Sequence, residues 1–481
     1  MKRSLSPESL KDVTQRLAQA QSALAKRYPG ESGRRQPVHV VYGGAHLFRA
    51  DVSRRMGELA LRALDDFAPD FVAFAQAVGL TGAEVLPGSA SHVAELRAQF
   101  EAAPESLRTE NRAAWLASAI YARVREKLQR EPVEDYGIDF EDGYGHRADD
   151  EEDGHARAAA EQIAAAKNQS GLPPFIGIRI KPVNEESRER AIRTLDIFLT
   201  ALIEKTGGAL PSNLSVTLPK IALPEEVATL ADVLEMLEVK LELPVGSVLI
   251  ELMIETTQAI FNDRGENNLL QLVSAARGRC AAVHFGPYDY TASLGIIAAH
   301  QNLAHPACDF ARNAMQAALA GTGVRLADGP TMLMPIAPHR IPNDGTPLTA
   351  QQKDENRQAV CDAWKLHYAN IQHSLAAGFY QSWDLHPLQL PVRYAAVYAF
   401  FLQDLDAASE RLKNFIAKAM QATRLGAIFD DAATGQGLLN YFLRAINCGA
   451  ISDGEAEQLT GLTSAGLHAG SFLKILAGRG K

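Results

Sequence analysis

Leu252-Met253-Ile254-Glu255-Thr256-Thr257 and Val283-His284-Phe285-Gly286-Pro287-Tyr288-Asp289 each carry a short apolar run into a carboxylate, and a stretch with helical spacing, 266–277, separates them. A short apolar run suits a strand buried on both faces, and a helix joining two such runs is what a parallel pair requires. The alternation extends outward in both directions. Apolar runs lie at 39–44, 136–140, 175–180, 214–218, 248–254, 280–285, 331–336 and 380–385, with helical segments such as 149–167, 185–206, 224–237 and 355–376 between them. Eight such units predict an α/β fold of the (β/α)8 TIM barrel type; a doubly wound open sheet with some strands misassigned is the alternative.

The barrel is expected over 38–392. Before it, residues 1–37 read as a helix with apolar positions Leu10, Val13, Leu17, Ala20 and Leu24, followed by a Gly/Pro-containing linker. The long interval 45–135 contains helix-like pieces at 51–67, 70–77 and 108–129, which predicts a helical insertion after strand one. Residues 340–352 are polar and follow the seventh apolar run, where a barrel keeps its mobile loops. After Pro391 strand signals stop, and 393–428, 432–447 and 453–478 read as a C-terminal helical cap over 393–481, broken at Gly426, Gly435, Gly449 and Gly470.

The 481 residues are 47% hydrophobic and 22% charged, and 57 acids against 48 bases leave a formal charge of −9. That balance argues against a nucleic-acid surface as a bulk property. Cys280, Cys308, Cys361 and Cys448 lie far apart and read as ordinary buried thiols. No run of about 18 apolar residues is free of charge, so no membrane partner is expected. The opening Met1-Lys2-Arg3-Ser4-Leu5-Ser6-Pro7 leads into a charged amphipathic stretch, and a cytoplasmic location follows as the expectation.

Charges at the ends of apolar strands carry the chemical information, because inside a strand they are costly unless paired or metal-bound. Glu255 and Asp289 should emerge at one rim from adjacent strands, and two oxygen ligands with open positions suit Mg²⁺ or Mn²⁺. The competing reading has Glu255 paired with a base and Asp289 capping the helix near Thr291. Arg179, ending Ile178-Arg179-Ile180, could grip a carboxylate or steady an enolate, or pair with a rim acid. Lys220, after Leu218-Pro219, is either a surface lysine or a reactive amine.

In Ile138-Asp139-Phe140-Glu141-Asp142, Asp139 and Glu141 share a strand face and Asp142 begins the loop. Function is favoured for Glu141, and a helix start for the later acids 149–153. His386, in Trp383-Asp384-Leu385-His386-Pro387-Leu388-Gln389, either contacts ligand or ties down a loop. Gly43-Gly44-Ala45-His46 could cradle an anion with backbone N–H groups.

These motifs, in this order, resemble the HpcH/HpaI aldolase and citrate lyase beta-subunit family, within the pyruvate/phosphoenolpyruvate-binding barrel group. The likeness spans roughly 38–410 and rests on Ile138–Asp142, Ile178–Ile180, Leu218–Lys220, Met253–Thr256, Phe285–Asp289 with Leu294-Gly295, and His386–Gln389. The resemblance implies that Glu255 and Asp289 hold Mg²⁺ or a similar ion and that Arg179 binds substrate and steadies an enolate. It implies that Glu141 and Asp142 support the metal's water shell and that His386 lies on the acyl or coenzyme A side. A coenzyme A thioester stays open, since Val41-Tyr42-Gly43-Gly44-Ala45-His46-Leu47-Phe48 lacks the family's first-strand arginine motif. Malate synthases share the barrel and use an aspartate from a C-terminal helical region; Asp430 and Asp431 are the nearest counterparts.

The expected activity is therefore a metal-dependent carbon–carbon lyase or aldolase acting on an oxo acid or hydroxy-acid adduct through an enolate. Arg179, Glu141, Asp142, Lys220 and His386 are the candidate catalytic residues, and Glu255 and Asp289 the metal ligands. A phosphoenolpyruvate-utilising phosphotransferase, an acyl-CoA lyase or synthase, and a non-catalytic oxo-acid-binding protein are the alternatives. A homo-oligomer is left open.

Overall fold

The computed structural model describes residues 4–30, 34–169, 171–417, 423–425, 428–430 and 432–468. Eight parallel strands close on themselves in sequence order: β1 (His39–Gly44), β2 (Asp135–Asp139), β3 (Phe175–Arg179), β4 (Leu214–Leu218), β5 (Leu249–Ile254), β6 (Cys280–Phe285), β7 (Arg325–Asp328) and β8 (Gln381–Asp384). The ring shuts where β1 pairs with β8, Val40 opposite Trp383. The fold is thus a (β/α)8 TIM barrel.

Helices surround the ring. Helix α1 (Pro7–Arg27) precedes it, and α2 (Val52–Phe67), α3 (Phe71–Val78), α4 (Ala90–Ala102), α5 (Pro104–Glu110) and α6 (Arg112–Arg130) lie between β1 and β2. The crossovers are α7 (Asp149–Asn168), α8 (Arg188–Thr206), α9 (Pro224–Lys240), the short α10 (Thr257–Ile260) with α11 (Leu269–Ala275), α12 (Pro287–Ser293) with α13 (Pro306–Leu319), and α14 (Ala350–Ala376). After β8 come α15 (Leu390–Leu402), α16 (Leu405–Ala417), a two-stranded antiparallel sheet of β9 (Thr423–Leu425) and β10 (Ile428–Asp430), then α17 (Ala432–Asn447), α18 (Asp453–Thr460) and α19 (Ser464–His468).

Local chemistry explains several boundaries. Four acids, Asp149, Asp150, Glu151 and Glu152, occupy the first turn of α7, where the helix dipole favours them. In α9, Pro224 fills a first-turn position and Glu226 reaches back to accept from the N–H groups of Ala222 and Leu223. Thr349 and Gln352 form a reciprocal cap that starts α14 earlier than its apolar spacing suggested. Among the described residues no helix is long and apolar enough to cross a membrane.

The sequence reading needs correction at four places. The seventh strand is not 331–336 but Arg325–Asp328. Its charged ends disguise it: Asp328 is fully buried against Arg312 and Ser374, and Arg325 lies over the Phe175 ring. The more apolar 331–336 forms a loop in which Met332, Leu333, Met334 and Ile336 are exposed. The expected helix 393–428 is instead α15 and α16 followed by β9 and β10, so strand structure does return after Pro391. Cys280 and Cys361 are half-buried, whereas Cys308 and Cys448 are buried. The expected 453–478 helix is two shorter helices as far as His468, and its remainder, with Gly470 and Gly426, lies outside the described residues.

Strand alternation divides the protein interior in two. Ile138, Ile178, Val216, Leu252, Ile254 and Phe285 belong to the large core packed against the helices. Val40, Met253 and Trp383, with Tyr42 against them, form a separate small cluster, on the opposite strand face and therefore along the barrel axis. The rest of that axis is polar. Gln381 donates to Asp135, Thr217 donates to Glu251, and Tyr42 and Trp383 lie within 3.3 Å of His284 Nδ1.

Gly137 leaves the Tyr42 ring its place on this axis, since a Cβ there would stand 2.3 Å from Tyr42 Cε1. The ring is wedged against Trp383 and the Arg179 guanidinium and has little freedom to yield. Gly137→Ala should therefore destabilise the fold by roughly 1–3 kcal/mol through overpacking. A thermal unfolding midpoint unchanged from the parent would contradict this packing account.

Candidate active site

Because the barrel strands are all parallel, the residues following their C-terminal ends meet at one mouth. Glu141 follows β2, Arg179 ends β3, Lys220 follows β4, Glu255 follows β5, Asp289 lies in the first turn of α12 after β6, and His386 follows β8. The structure draws all of these except His386 into one charged cluster.

Arg179 is its centre. Nε donates to Asp139 Oδ1 at 2.7 Å and Nη2 to Asp139 Oδ2, while Nη1 lies 3.3 Å from Glu141 Oε2. The Tyr42 ring lies 4.9 Å from the guanidinium carbon and the Trp383 ring 6.0 Å. Burial works against the Arg179 charge, but Asp139 and Glu141 outweigh it and hold the group cationic. The rim-acid pairing considered for Arg179 is therefore present, and it leaves Nη1 as the edge not committed to Asp139.

Asp139 was not among the expected site residues. Besides gripping Arg179 it accepts the N–H groups of Glu141 at 2.9 Å and Gly143 at 2.7 Å, which fixes the loop carrying Glu141 and Asp142. Gly143 is required there, because a Cβ would stand 2.6 Å from Asp139 Oδ2. The two-residue alternation that puts Asp139 and Glu141 on one face was the available signal.

Lys220 bridges the two halves of the cluster. Its Nζ pairs with Glu141 and lies 3.0 Å from Asp142 Oδ2, while its backbone N–H donates to Glu255 Oε1 at 2.6 Å. Reaching both ways requires φ of 52°, the left-handed region that a lysine occupies at a cost. Burial opposes the ammonium, but Glu141, Glu255 and Asp142 overcome it and raise its pKa above the ordinary lysine value. A neutral amine is therefore disfavoured. Burial pushes the Glu141 carboxyl up against the pull of Arg179 and Lys220; burial also raises Asp142, but Lys220 and Arg179 hold it below its usual value.

Glu255 is 2% exposed, and burial, followed by the charge of Asp289, pushes it up to about 8. Its side chain packs directly on Gly286, where a Cβ would stand 2.5 Å from Oε2. Among the described residues, the cationic partners of Asp139, Glu141, Asp142, Glu255 and Asp289 within the cluster are Arg179 and Lys220. Two carboxylates converging on an acid-rich, cation-poor space form a donor set that fits a hard divalent ion. Among the described residues no group of three or more His, Cys, Asp and Glu side chains is placed to hold a metal ion, so an ion held by Glu255 and Asp289 would need water or substrate to complete its coordination.

The remaining candidates are placed differently. His386 is half-buried, its imidazole pKa is lowered by burial, and its Nδ1 accepts the Leu388 N–H. Together with Gln389, which accepts from Leu385 N and His386 N and donates to Thr331 O, it ties down the turn after β8. Among the described residues no hydrogen bond or ion pair joins His386 to the acid cluster. Gly43 and Gly44 answer to packing: a Cβ would stand 2.1 Å from Tyr136 Oη and 2.6 Å from Gly143 O, respectively. Asp431 lies outside the described residues, and Asp430 is described in its backbone alone.

Fold and cluster define a TIM barrel with a charged, acid-rich C-terminal mouth. The chain belongs to the family described as Domain of unknown function (DUF6986), whose match covers residues 17–475. No curated protein sequence matches it. Among solved structures, a citrate lyase from Burkholderia xenovorans LB400 is similar at 18% identity over 71% of this chain and 92% of that one, with a TM-score of 0.48. The Mycobacterium tuberculosis protein CitE, solved with magnesium, acetoacetate and coenzyme A, is 15% identical over 69% and 95% of the two chains, with a TM-score of 0.40. The Haloferax volcanii malate synthase, in a ternary complex with pyruvate and acetyl-CoA, is 14% identical over 72% and 91%, with a TM-score of 0.39.

Two measurements test the cluster. Glu255 must ionise to ligate, so Mg²⁺ or Mn²⁺ binding near neutral pH should release about one proton, and affinity should rise with pH until it levels above about 8. Glu255→Gln should abolish that proton release, and Asp289→Asn should weaken binding; calorimetry in buffers of differing ionisation heat reads both. For Lys220, glycine and alanine remove the same ammonium but differ at a left-handed backbone. Lys220→Gly should be the more stable of the two by roughly 1–2 kcal/mol, and equal unfolding midpoints would deny the strain.

Proposed function

We propose that the protein is a divalent-metal-dependent carbon–carbon lyase or aldolase that cleaves or forms a bond next to an oxo acid through an enolate. The observation that supports this reading is the acid-rich cluster at the mouth, in which the charge of Asp289 is felt by the buried Glu255 beside Arg179 and the Lys220–Glu141 pair. The sequence motifs shared with the citrate lyase beta-subunit family agree with it.

Glu255 and Asp289 would hold Mg²⁺ or Mn²⁺, which when bound supplies Lewis-acid polarisation of an oxo group. Arg179 would turn Nη1, now 3.3 Å from Glu141 Oε2 and donating to Met253 Sδ, to an oxyanion, while its bidentate grip on Asp139 holds the guanidinium plane in place as charge develops. Glu141, pushed up by burial and held against Lys220 Nζ, is the group able to hold or pass a proton at its carboxylate oxygens. Lys220 acts as a permanent cation that orients Glu141 and Asp142, which disfavours a Schiff-base role.

The reading is tested by incubating metal-loaded protein with pyruvate, oxaloacetate, glyoxylate and acyl thioesters, singly and in pairs, and following mass change. Metal-dependent bond making or breaking supports it; tight metal and oxo-acid binding with no product in any combination points to a binding protein. With an active pair in hand, Arg179→Lys should lower kcat at saturating substrate by about tenfold or more, the equivalent of roughly 1.4 kcal/mol, because a mobile ammonium cannot reproduce the fork. Equal single-turnover rates with weakened substrate binding would reduce Arg179 to a ground-state contact.

A further inference from the structure

None of the 21 residues of helix α1 (Pro7–Arg27) is buried. Its ends are nevertheless well made. Ser6 and Ser9 form a reciprocal cap, Pro7 fills a first-turn position, Glu8 sits in the first turn, and Lys26 and Arg27 sit in the last. Such local signals start and stop a helix, but most helical stability in a protein comes from an apolar face laid against a partner. That face exists here. Leu10, Val13, Leu17 and Leu24 are 36, 53, 55 and 60% exposed, and among the described residues nothing buries them.

The spacing of the face indicates what covers it. Leu10, Val13, Leu17, Ala20 and Leu24 follow at intervals of three, four, three and four, the strict seven-residue repeat of a coiled-coil seam. A helix packed on a globular core shows a wider stripe. A helix lying on a membrane surface also needs a broad face, often with aromatic side chains, whereas α1 contains no aromatic residue. The positions flanking its seam, Ser9, Thr14, Arg16, Gln21 and Ala23, are polar or small.

The composition of the seam also fits a copy of itself. Paired in parallel, two copies would set Ala20 against Ala20, leaving a void, and Arg27, the next position of the repeat, against its own charge. Paired antiparallel, Leu17 meets the partner's Ala20, Val13 meets the partner's Leu24, and Leu10 meets the partner's Arg27, whose methylene stem can lie along it. A segment complementary to itself in this way is what a twofold interface requires.

We propose that α1 pairs antiparallel with α1 of a second copy of this chain, so that the protein dimerises through its N-terminal helices. Just beyond α1, the Gly30 N–H donates to Gly321 O at 2.9 Å, shortly before β7 begins at Arg325. The helix is therefore tethered at the barrel end away from the mouth, and the pairing leaves the mouth open, whatever chemistry the mouth performs. The seam is about three heptads, at the short end of what associates, so dimer and monomer should exchange reversibly.

Sedimentation of the full chain over a concentration series tests this. The mass should rise from one chain toward two, and Leu17→Glu, at the centre of the seam, should raise the dissociation constant about a hundredfold or more. Gln15→Glu, on the outer face, should leave it within about twofold. Leu10→Glu separates the two orientations. Antiparallel, it faces the partner's Arg27 and should weaken the dimer by less than about tenfold; in parallel it would face itself and match the damage of Leu17→Glu. Leu10, Gln15 and Leu17 are exposed in the single chain, so each variant should keep the parent's near-ultraviolet circular dichroism, which reports the aromatic packing of the barrel. A chain that stays single up to about 200 µM, a dimer indifferent to Leu17→Glu, or equal damage from Leu10→Glu and Leu17→Glu would each overturn the proposal. So would a monomeric chain that sediments with phosphatidylglycerol vesicles and is released by Leu17→Glu, which would assign α1 to a membrane surface.

Discussion

The bidentate pair of Arg179 with Asp139 is the interaction on which the mouth depends. A guanidinium and a carboxylate on neighbouring strands, nearly sealed from water, are tolerable only if their hydrogen bonds are satisfied, and Asp139 meets this by also receiving two backbone N–H groups. The pair therefore shapes the Glu141 loop, and that loop positions the carboxylates that draw Lys220 across from β4. The aromatic faces of Tyr42 and Trp383 close the lower side of the guanidinium and separate it from the polar axis below. Removing either charge would strand the other in a low-dielectric interior, so the constellation stands or falls as a unit.

Charge at the mouth is unbalanced in favour of acids, and the imbalance is distributed with a purpose visible in the ionisation of its members. Asp142, nearest solvent, stays ionised; Glu141 and Glu255, deeper, are pushed toward the neutral form by burial. Were Glu255, pushed up to about 8, to ligate a cation as proposed, occupancy of the site would be coupled to proton release. Below the mouth, a polar column of Glu251, His284 and Tyr42 runs along the barrel axis.

Much of this was legible in the sequence, and the misses share a cause. Strands ending in one charged group after an apolar run, such as 249–254 before Glu255, declare both themselves and the rim residue. Strand β7 does not, because Arg325 lies 3.6 Å from Glu251 while Asp328 pairs with Arg312 and accepts from Ser374, partners that only tertiary structure supplies. The apolar 331–336 then looks like the better strand although Met332, Leu333, Met334 and Ile336 are exposed. Asp139 was visible but undistinguished from its acidic neighbours until its partner was known. Tyr42, Trp383 and His284 meet through barrel closure, which brings together residues hundreds of positions apart and leaves no local pattern. For His386 the sequence left ligand contact and a tie to a loop both open, and its Nδ1 accepts the Leu388 N–H of the turn after β8.

The seam between β1 and β8 bears on how the chain acquires its shape. Val40 and Val41 find Trp383 and Asp384 only when nearly the whole barrel has been made, and buried His39 finds Asp384 at 3.2 Å across the same seam. During synthesis β1 emerges first and can pair with β2 on one side, but its other edge has to wait for the last strand. The ordering of strands around the ring makes each earlier pairing a neighbour in sequence, so assembly can proceed as a growing open sheet whose final, longest-range step is closure. Any pause before β8 is complete therefore leaves the unpaired N–H and C=O groups along one edge of β1 on offer to other chains.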